Sequence, residues 1–171
     1  MGRGPRVERR KDGGLVLRDL PPAIGLALRE LRELLRPDGE GRPARLAGSP
    51  YAGDEEGDGH WRRHAEPELR HLFESARTTV LRDLEGLAPE SIFRGGLRLP
   101  IPAKHVAAWL STLAGVRVAL GDRHGITAFE MDAGFPTDIK DARDRAVLLV
   151  HLLGWVQGLL IDPEEEPGPG E

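Results

Sequence analysis

The chain contains no cysteine, which excludes disulfides, thiolate metal sites, a cysteine nucleophile and any thiol redox switch within it. Its sulfur is confined to two methionines. Asparagine is absent too, and only Lys11, Lys104 and Lys140 among the 24 basic side chains are lysines. A GC-rich coding sequence accounts for both, and avoidance of thermolabile residues is compatible with them. Long apolar runs are scarce. The longest, 146–161, is interrupted by His151 and Gln157 and falls short of the roughly 20 apolar residues that a bilayer crossing needs. The first residues, MGRGPRVERRKDGG, put no apolar segment behind their charges, unlike a signal peptide. The expectation is a cytoplasmic protein with no membrane partner.

What is present fits one domain with a real core: 171 residues, 39% hydrophobic and 30% charged, the composition of an ordinary globular protein. The net charge of -4 is uneven. Residues 162–171 hold five acids and no base, so residues 1–161 carry 24 basic against 23 acidic side chains. The one local basic excess is the amino end, with Arg3, Arg6, Arg9, Arg10, Lys11 and Arg18 against Glu8 and Asp12. A dedicated DNA-binding domain shows a much stronger basic stripe.

Along the chain, RVERR and LVLRDL are short extended segments separated by Lys11, Asp12, Gly13 and Gly14, a hairpin signal. Pro21 and Pro22 then open a first helix in which Leu20, Ile24, Leu28, Leu31 and Leu35 recur at three and four residues, until Pro37 and Gly39 stop it. Residues 37–59, rich in glycine and proline and carrying Asp54, Glu55, Glu56 and Asp58, read as a long flexible loop. A second helix spans Trp61 to about Leu87, with Pro67 beginning its main part. A short strand at 97–101, confined to an edge by its prolines, joins the hairpin. A third helix runs from Ala103 to Leu120 and ends at Gly121, and a fourth, capped by Asp138, runs to Ile161. The fold expected is mainly α: a single domain over 1–161 with four principal helices, a small antiparallel sheet, and a disordered acidic tail at 162–171.

Two positions break the pattern. On the third helix Val106, Trp109, Leu110, Leu113, Val116 and Leu120 share one side, and Arg117 falls near the middle of that stripe. On the fourth, Gln157 lies at the centre of the stripe of Ile139, Ala142, Ala146, Leu149, Val150, Leu153, Val156 and Leu160. An unpartnered polar group in apolar surroundings costs several kcal/mol, roughly 2 to 7 even when neutral. Both side chains must therefore belong to a buried network, with Glu130 or Asp138 as candidate members, or to a ligand or partner site. The fourth helix is apolar on further faces through Val147, Leu148, Leu152, Trp155 and Leu159. It is either central or packed against a second copy of the chain.

Other chemistry finds little support. His60, His64 and His71 stand among arginines and glutamates without an HExxH pattern, so no metal site is expected. His105, His124 and His151 read as isolated, and no serine sits in a GxSxG turn. Neither a P-loop lysine nor a strand-linked GxGxxG is present. Arg62, Arg63, Arg70 and Arg77 alternate with Glu66, Glu68 and Glu74, the pattern of a hydrated ion-paired face rather than a phosphate site. With no catalytic constellation and no cofactor motif, the chain reads as a non-enzymatic protein.

Three segments in order, PYAGDEEGDGHWRRHAEPELR, VAAWLSTLAGVRVALGDRHGI and VHLLGWVQGLL, resemble an actinobacterial family of unknown-function proteins. Some of its members are described as AosR-like oxidative-stress transcriptional regulators. The resemblance covers residues 15–161 and is carried by Tyr51, Asp54, Trp61, Arg62, Arg63, Trp109, Leu110, Leu113, Arg117, Leu120, Gly121, Trp155 and Gln157. It implies binding roles for Tyr51, Asp54, Trp61, Arg62, Arg63, Trp109, Arg117, Trp155 and Gln157. Two departures limit it: Ala114 and Gly115 stand where the family often has Asn-Asp, and the cysteines of a redox regulator are missing. The resemblance implies a transcriptional regulator, without a cysteine switch, that acts through a protein partner (itself or the transcription machinery) or through weak DNA contact. The alternative is an adaptor or dimeric scaffold with no nucleic-acid role.

Overall fold

The structure, a computed structural model, describes residues 4–42, 48–91 and 94–163, and at 94 and 95 the backbone alone. In chain order the elements are β1 (Arg6–Arg9), β2 (Leu15–Leu20), α1 (Pro22–Leu34), α2 (Glu55–His64), α3 (Glu66–Leu84), β3 (Ala88–Ser91), β4 (Arg94–Ile101), α4 (Val106–His124), α5 (Ala128–Asp132) and α6 (Ala142–Ile161). The fold is mainly α with a small antiparallel sheet, as expected. The disorder expected of the acidic tail concerns residues that, from 164 onward, lie outside the described ones.

The N-terminal hairpin forms as its Asp-Gly signal predicts. Arg10 N–H donates to Gly14 O at 2.8 Å, and Gly13, at φ 81°, makes the left-handed step that glycine allows without steric cost. The sheet order is β1-β2-β4-β3, antiparallel throughout. Two expectations need correction. The strand expected at 97–101 begins at Arg94, and it is an inner strand rather than an edge. Pro100 is tolerated because β3 pairs only with the Arg94–Arg98 part of β4, so Pro100, opposite Val16 of β2, lies past the end of β3.

One face of the sheet, with Leu15, Leu17, Leu20, Leu99 and Ile101, is buried against the helices. Fully burying each such side chain is worth about 1.5–3 kcal/mol. Pro22 opens α1, whose Ile24, Ala27, Leu28 and Leu31 join the same core. Residues 37–59 are not all loop. Asp54 caps α2 by accepting from Gly57 N–H at 3.1 Å, and a helix start with that cap outweighs the helix-weakening glycines inside it. The helix expected from Trp61 to Leu87 is two helices, α2 and α3, that meet at Ala65.

α4 runs four residues further than expected, to His124, and Gly125 closes it at φ 59° with its N–H on Gly121 O. α6 starts later than expected: Asp141, not Asp138, is its cap and accepts from Asp144 N–H at 2.8 Å. Ile139 is consequently 44% exposed rather than part of the buried stripe, and Ala142 is exposed as well. α6 has the length and composition of a membrane span, yet its Leu149, Val150, Leu153, Val156 and Leu160 are buried in this core. It lies between α1 and α4.

Candidate functional site

The seam between α4 and α6 holds the two inward polar residues that the sequence singled out. Arg117 Nη1 donates to Gln157 Oε1 at 2.8 Å. Gly154, one turn before Gln157, makes room for the guanidinium, since a Cβ there would lie 3.0 Å from Arg117 Cζ. Arg117 is half-buried rather than fully buried. Its Nε is nonetheless shielded from solvent and has no hydrogen-bond partner among the described residues. The candidate partners Glu130 and Asp138 lie elsewhere: Glu130 binds Arg143, and Asp138 lies 3.3 Å from Lys140 Nζ.

Toward the start of α4 is a second polar cluster that the sequence did not reveal. Trp109 is fully buried, and its Nε1–H donates to Asp83 Oδ2 at 2.9 Å. His105 Nδ1 lies 3.0 Å from both oxygens of the same carboxylate. His105 is therefore not isolated: it and Trp109 anchor α4 to the end of α3. Asp83 is 22 residues from His105 in sequence, so no local spacing could have paired them.

α5 packs beside α6 and closes the other end of the seam. Thr127 and Glu130 form a reciprocal capping box, a signal present in the sequence as Thr-Ala-Phe-Glu and unread there. Glu130 also accepts from Arg143, which reaches on to His124 O at 3.1 Å. Arg143, with the N–H and hydroxyl of Thr127, holds the Glu130 carboxyl down at about 2.

The remaining motif residues form a separate group around α2. Tyr51 is 48% exposed and lies over Gly57, where a Cβ would fall 3.0 Å from its ring. Asp54 is the cap of α2 described above. Trp61 is half-buried, and its shielded Nε1 has no hydrogen-bond partner among the described residues. Arg62 pairs with Asp58 at 2.9 Å, and exposed Arg63 lies along Gly59. Arg70 with Glu66 and Arg77 with Glu74 complete the ion-paired face expected of α3. The structure thus brings Arg117 and Gln157 together between α4 and α6, sets Trp109 into the core, packs half-buried Trp155 of α6 against that core, and leaves Tyr51–Arg63 as a group of its own. A cavity of about 50 Å³ between α1, α3 and α4, lined by Leu35, Phe73 and Val116, has about a third of the volume that takes a benzene.

The outer side of the seam is mixed. On α4, Ala107 is exposed and Ala114 and Val118 are half-buried, with exposed Ser111 and Asp122 in the same row; on α6, Leu148 is half-buried, and half-buried Trp155 and Leu159 pack against the core. α6 carries no Asp, Glu, Lys or Arg from Ala146 to Ile161. Phe135, 55% exposed, borders this face with its ring centroid 5.2 Å from that of His151.

No curated protein and no solved structure matches the chain. A family model described as a domain of unknown function, DUF2017, matches residues 10–163, which takes in every element from β2 to α6, both polar clusters and the α4–α6 seam. The chain therefore belongs to the DUF2017 family.

Proposed function

We propose that this protein is a non-enzymatic regulator that works by holding a protein partner on the outer face of α4 and α6. The observation that carries the reading is the stretch of α6 from Ala146 to Ile161, which holds no Asp, Glu, Lys or Arg and leaves Leu148, Leu152, Trp155 and Leu159 only half-buried, since depletion of charge at the centre of a patch is the compositional mark of an interface. The resemblance to AosR-like regulators supports transcription as the process regulated. Partner docking is favoured over direct DNA contact because three of the basic residues at the amino end are engaged. Arg6 pairs with Asp19 at 3.3 Å and Arg10 with Asp12 at 3.5 Å, while Arg18 binds Glu8 and Glu90. The same ion pairs favour the second reading, an adaptor with no nucleic-acid role.

Capture of RNA polymerase or one of its subunits by the purified full chain tests the reading. Capture by the wild type and its loss in Ala107→Arg, an exposed position on the face, is the expected result. Capture that Ala107→Arg leaves unchanged puts the docking site elsewhere. No capture, with DNA binding absent at low and high salt, transfers the protein to the adaptor class.

A further inference from the structure

We infer that His105 is a phosphoryl-acceptor residue, its imidazole Nε2 held by Asp83 as a nucleophile toward a small phosphoryl donor. The inference stands apart from the docking reading and does not depend on it.

The orientation comes from Asp83. Its side chain is only 7% exposed, and its carboxylate accepts from the Trp109 indole at 2.9 Å. His105 Nδ1 lies 3.0 Å from both oxygens of that carboxylate. An ionised carboxylate accepts and cannot donate, so the proton of this pair sits on Nδ1 and the ring's free lone pair on Nε2. Trp109 is fully buried, so the group that aims the imidazole is itself fixed.

Nε2 is left open. The His105 side chain is 16% exposed, and its Nε2 is neither shielded from solvent nor hydrogen-bonded to a described residue. His151 makes the contrast, since its Nε2 is shielded. His60, His64 and His71 are exposed, but among the described residues no carboxylate sets their tautomer. A carboxylate-oriented imidazole can ligate a metal, act as base for a neighbouring nucleophile, or be the nucleophile itself. Among the described residues no group of three ligating side chains forms, and no hydroxyl donates to Nε2. The third use needs only the lone pair and room to approach it.

The surroundings suit a phosphoryl group. His105 is the N-cap of α4, a helix of 19 residues, and the backbone dipoles at a helix start favour negative charge. Adjacent Lys104 is exposed and has no ion-pair partner among the described residues, which adds a free positive charge at that end. Transfer balances without a proton: Nε2 attacks phosphorus, the N–P bond forms as the bond to the leaving group breaks, and the leaving group departs with that bond's electron pair. The ring becomes a phosphoimidazolium whose positive charge is offset by Asp83 at Nδ1–H.

Phosphoramidate, whose leaving group is ammonia, tests the inference on the full chain, with phosphohistidine mapped by mass spectrometry. His105 is expected to label at least about tenfold faster than His60, His64 or His71, the lower end of what a carboxylate behind an imidazole contributes. A smaller ratio overturns the inference. Asp83 acts as a positioning residue, and the nitrogen-15 shifts of His105 read that role directly: an unprotonated Nε2 is expected in the wild type, and a proton on Nε2 overturns the inference. Labelling of folded Asp83→Asn is expected to fall, and an unchanged rate overturns the inference as well. If Asp83→Asn does not fold, the wild-type spectrum and the rate ratio decide.

Discussion

Asp83 and Trp109 are joined by a hydrogen bond of 2.9 Å from a fully buried indole to a carboxylate whose side chain is only 7% exposed. The same carboxylate meets His105, so a single residue at the end of α3 fixes the entry of α4. Removing an acceptor beneath a buried donor costs that donor's desolvation, about 1–3 kcal/mol. Asp83→Ala should therefore lower unfolding stability by about that amount, whereas Asp83→Asn, which keeps an oxygen for the indole N–H, should lose less. Urea unfolding of the two variants measures this. Equal losses would show that the acceptor itself does not matter.

Arg117 illustrates a different balance. Its hydrogen bond to Gln157 accounts for one end of the guanidinium and leaves Nε without a partner among the described residues, so the pair contributes less than a fully satisfied one. Arg117→Met keeps the aliphatic packing of the stem and removes the charge, while Arg117→Ala removes both and leaves space in the seam. The expected order of melting temperature has Met above Ala. A melt in which Ala is the more stable would refute the packing argument.

Gly154 extends the test. Alanine is favoured over glycine by about 1 kcal/mol inside a helix, but a Cβ at 154 would press on Arg117 from 3.0 Å. Gly154→Ala should therefore stabilise the protein in the Arg117→Met background and stabilise less, or destabilise, beside Arg117. A double-mutant cycle with no coupling between the two positions contradicts this.

These residues also mark how far the sequence could be read. The hairpin, the proline-led start of α1 and the inward aim of Arg117 and Gln157 were legible because each depends on neighbours within a few residues or on helical periodicity. The start of α2 was not, since Gly57 and Gly59 read as loop until Asp54 is recognised as a cap. The start of α6 was read at Asp138, three residues before Asp141, whose side chain accepts from Asp144 N–H and caps the helix. Asp83 and His105 come together only because α3 and α4 pack, a tertiary fact with no local trace. Tyr51, Asp54, Trp61, Arg62 and Arg63 recur as a motif, yet the structure gives Asp54 a capping role and sets the group apart from the α4–α6 face.

Glu130 gives a pH prediction whose sign follows from its partners. Arg143 and Thr127 hold its carboxyl at about 2 in the folded chain, against an ordinary value of 4.5. A folded-state value below the unfolded one stabilises the protein above the unfolded value and loses that contribution as pH falls through the folded one. The contribution of Glu130 should be complete above about pH 4.5 and fade toward about pH 2. Thermal melts of Glu130→Gln should show a shallower loss of stability across that window than the wild type. Parallel curves would mean that Arg143 holds no preference for the ionised form.

DNA binding supplies the last prediction. The basic excess at the amino end is short, and Arg6, Arg10 and Arg18 among its described members already face Asp19, Asp12, Glu8 and Glu90. Any nucleic-acid contact has to compete with those ion pairs and reaches phosphate rather than base edges, so it should be weak, non-selective and steeply reduced by salt. Peroxide should not strengthen it. With no cysteine in the chain, methionine oxidation is the one sulfur chemistry left, and Met131 is half-buried against the core, away from the basic residues of β1 and β2. Mobility shifts at low and near-physiological salt, before and after peroxide, are the measurement. Tight, salt-resistant, sequence-selective binding by the isolated protein, or a large gain after peroxide, would defeat the partner-docking reading and return the amino end to the centre of the function.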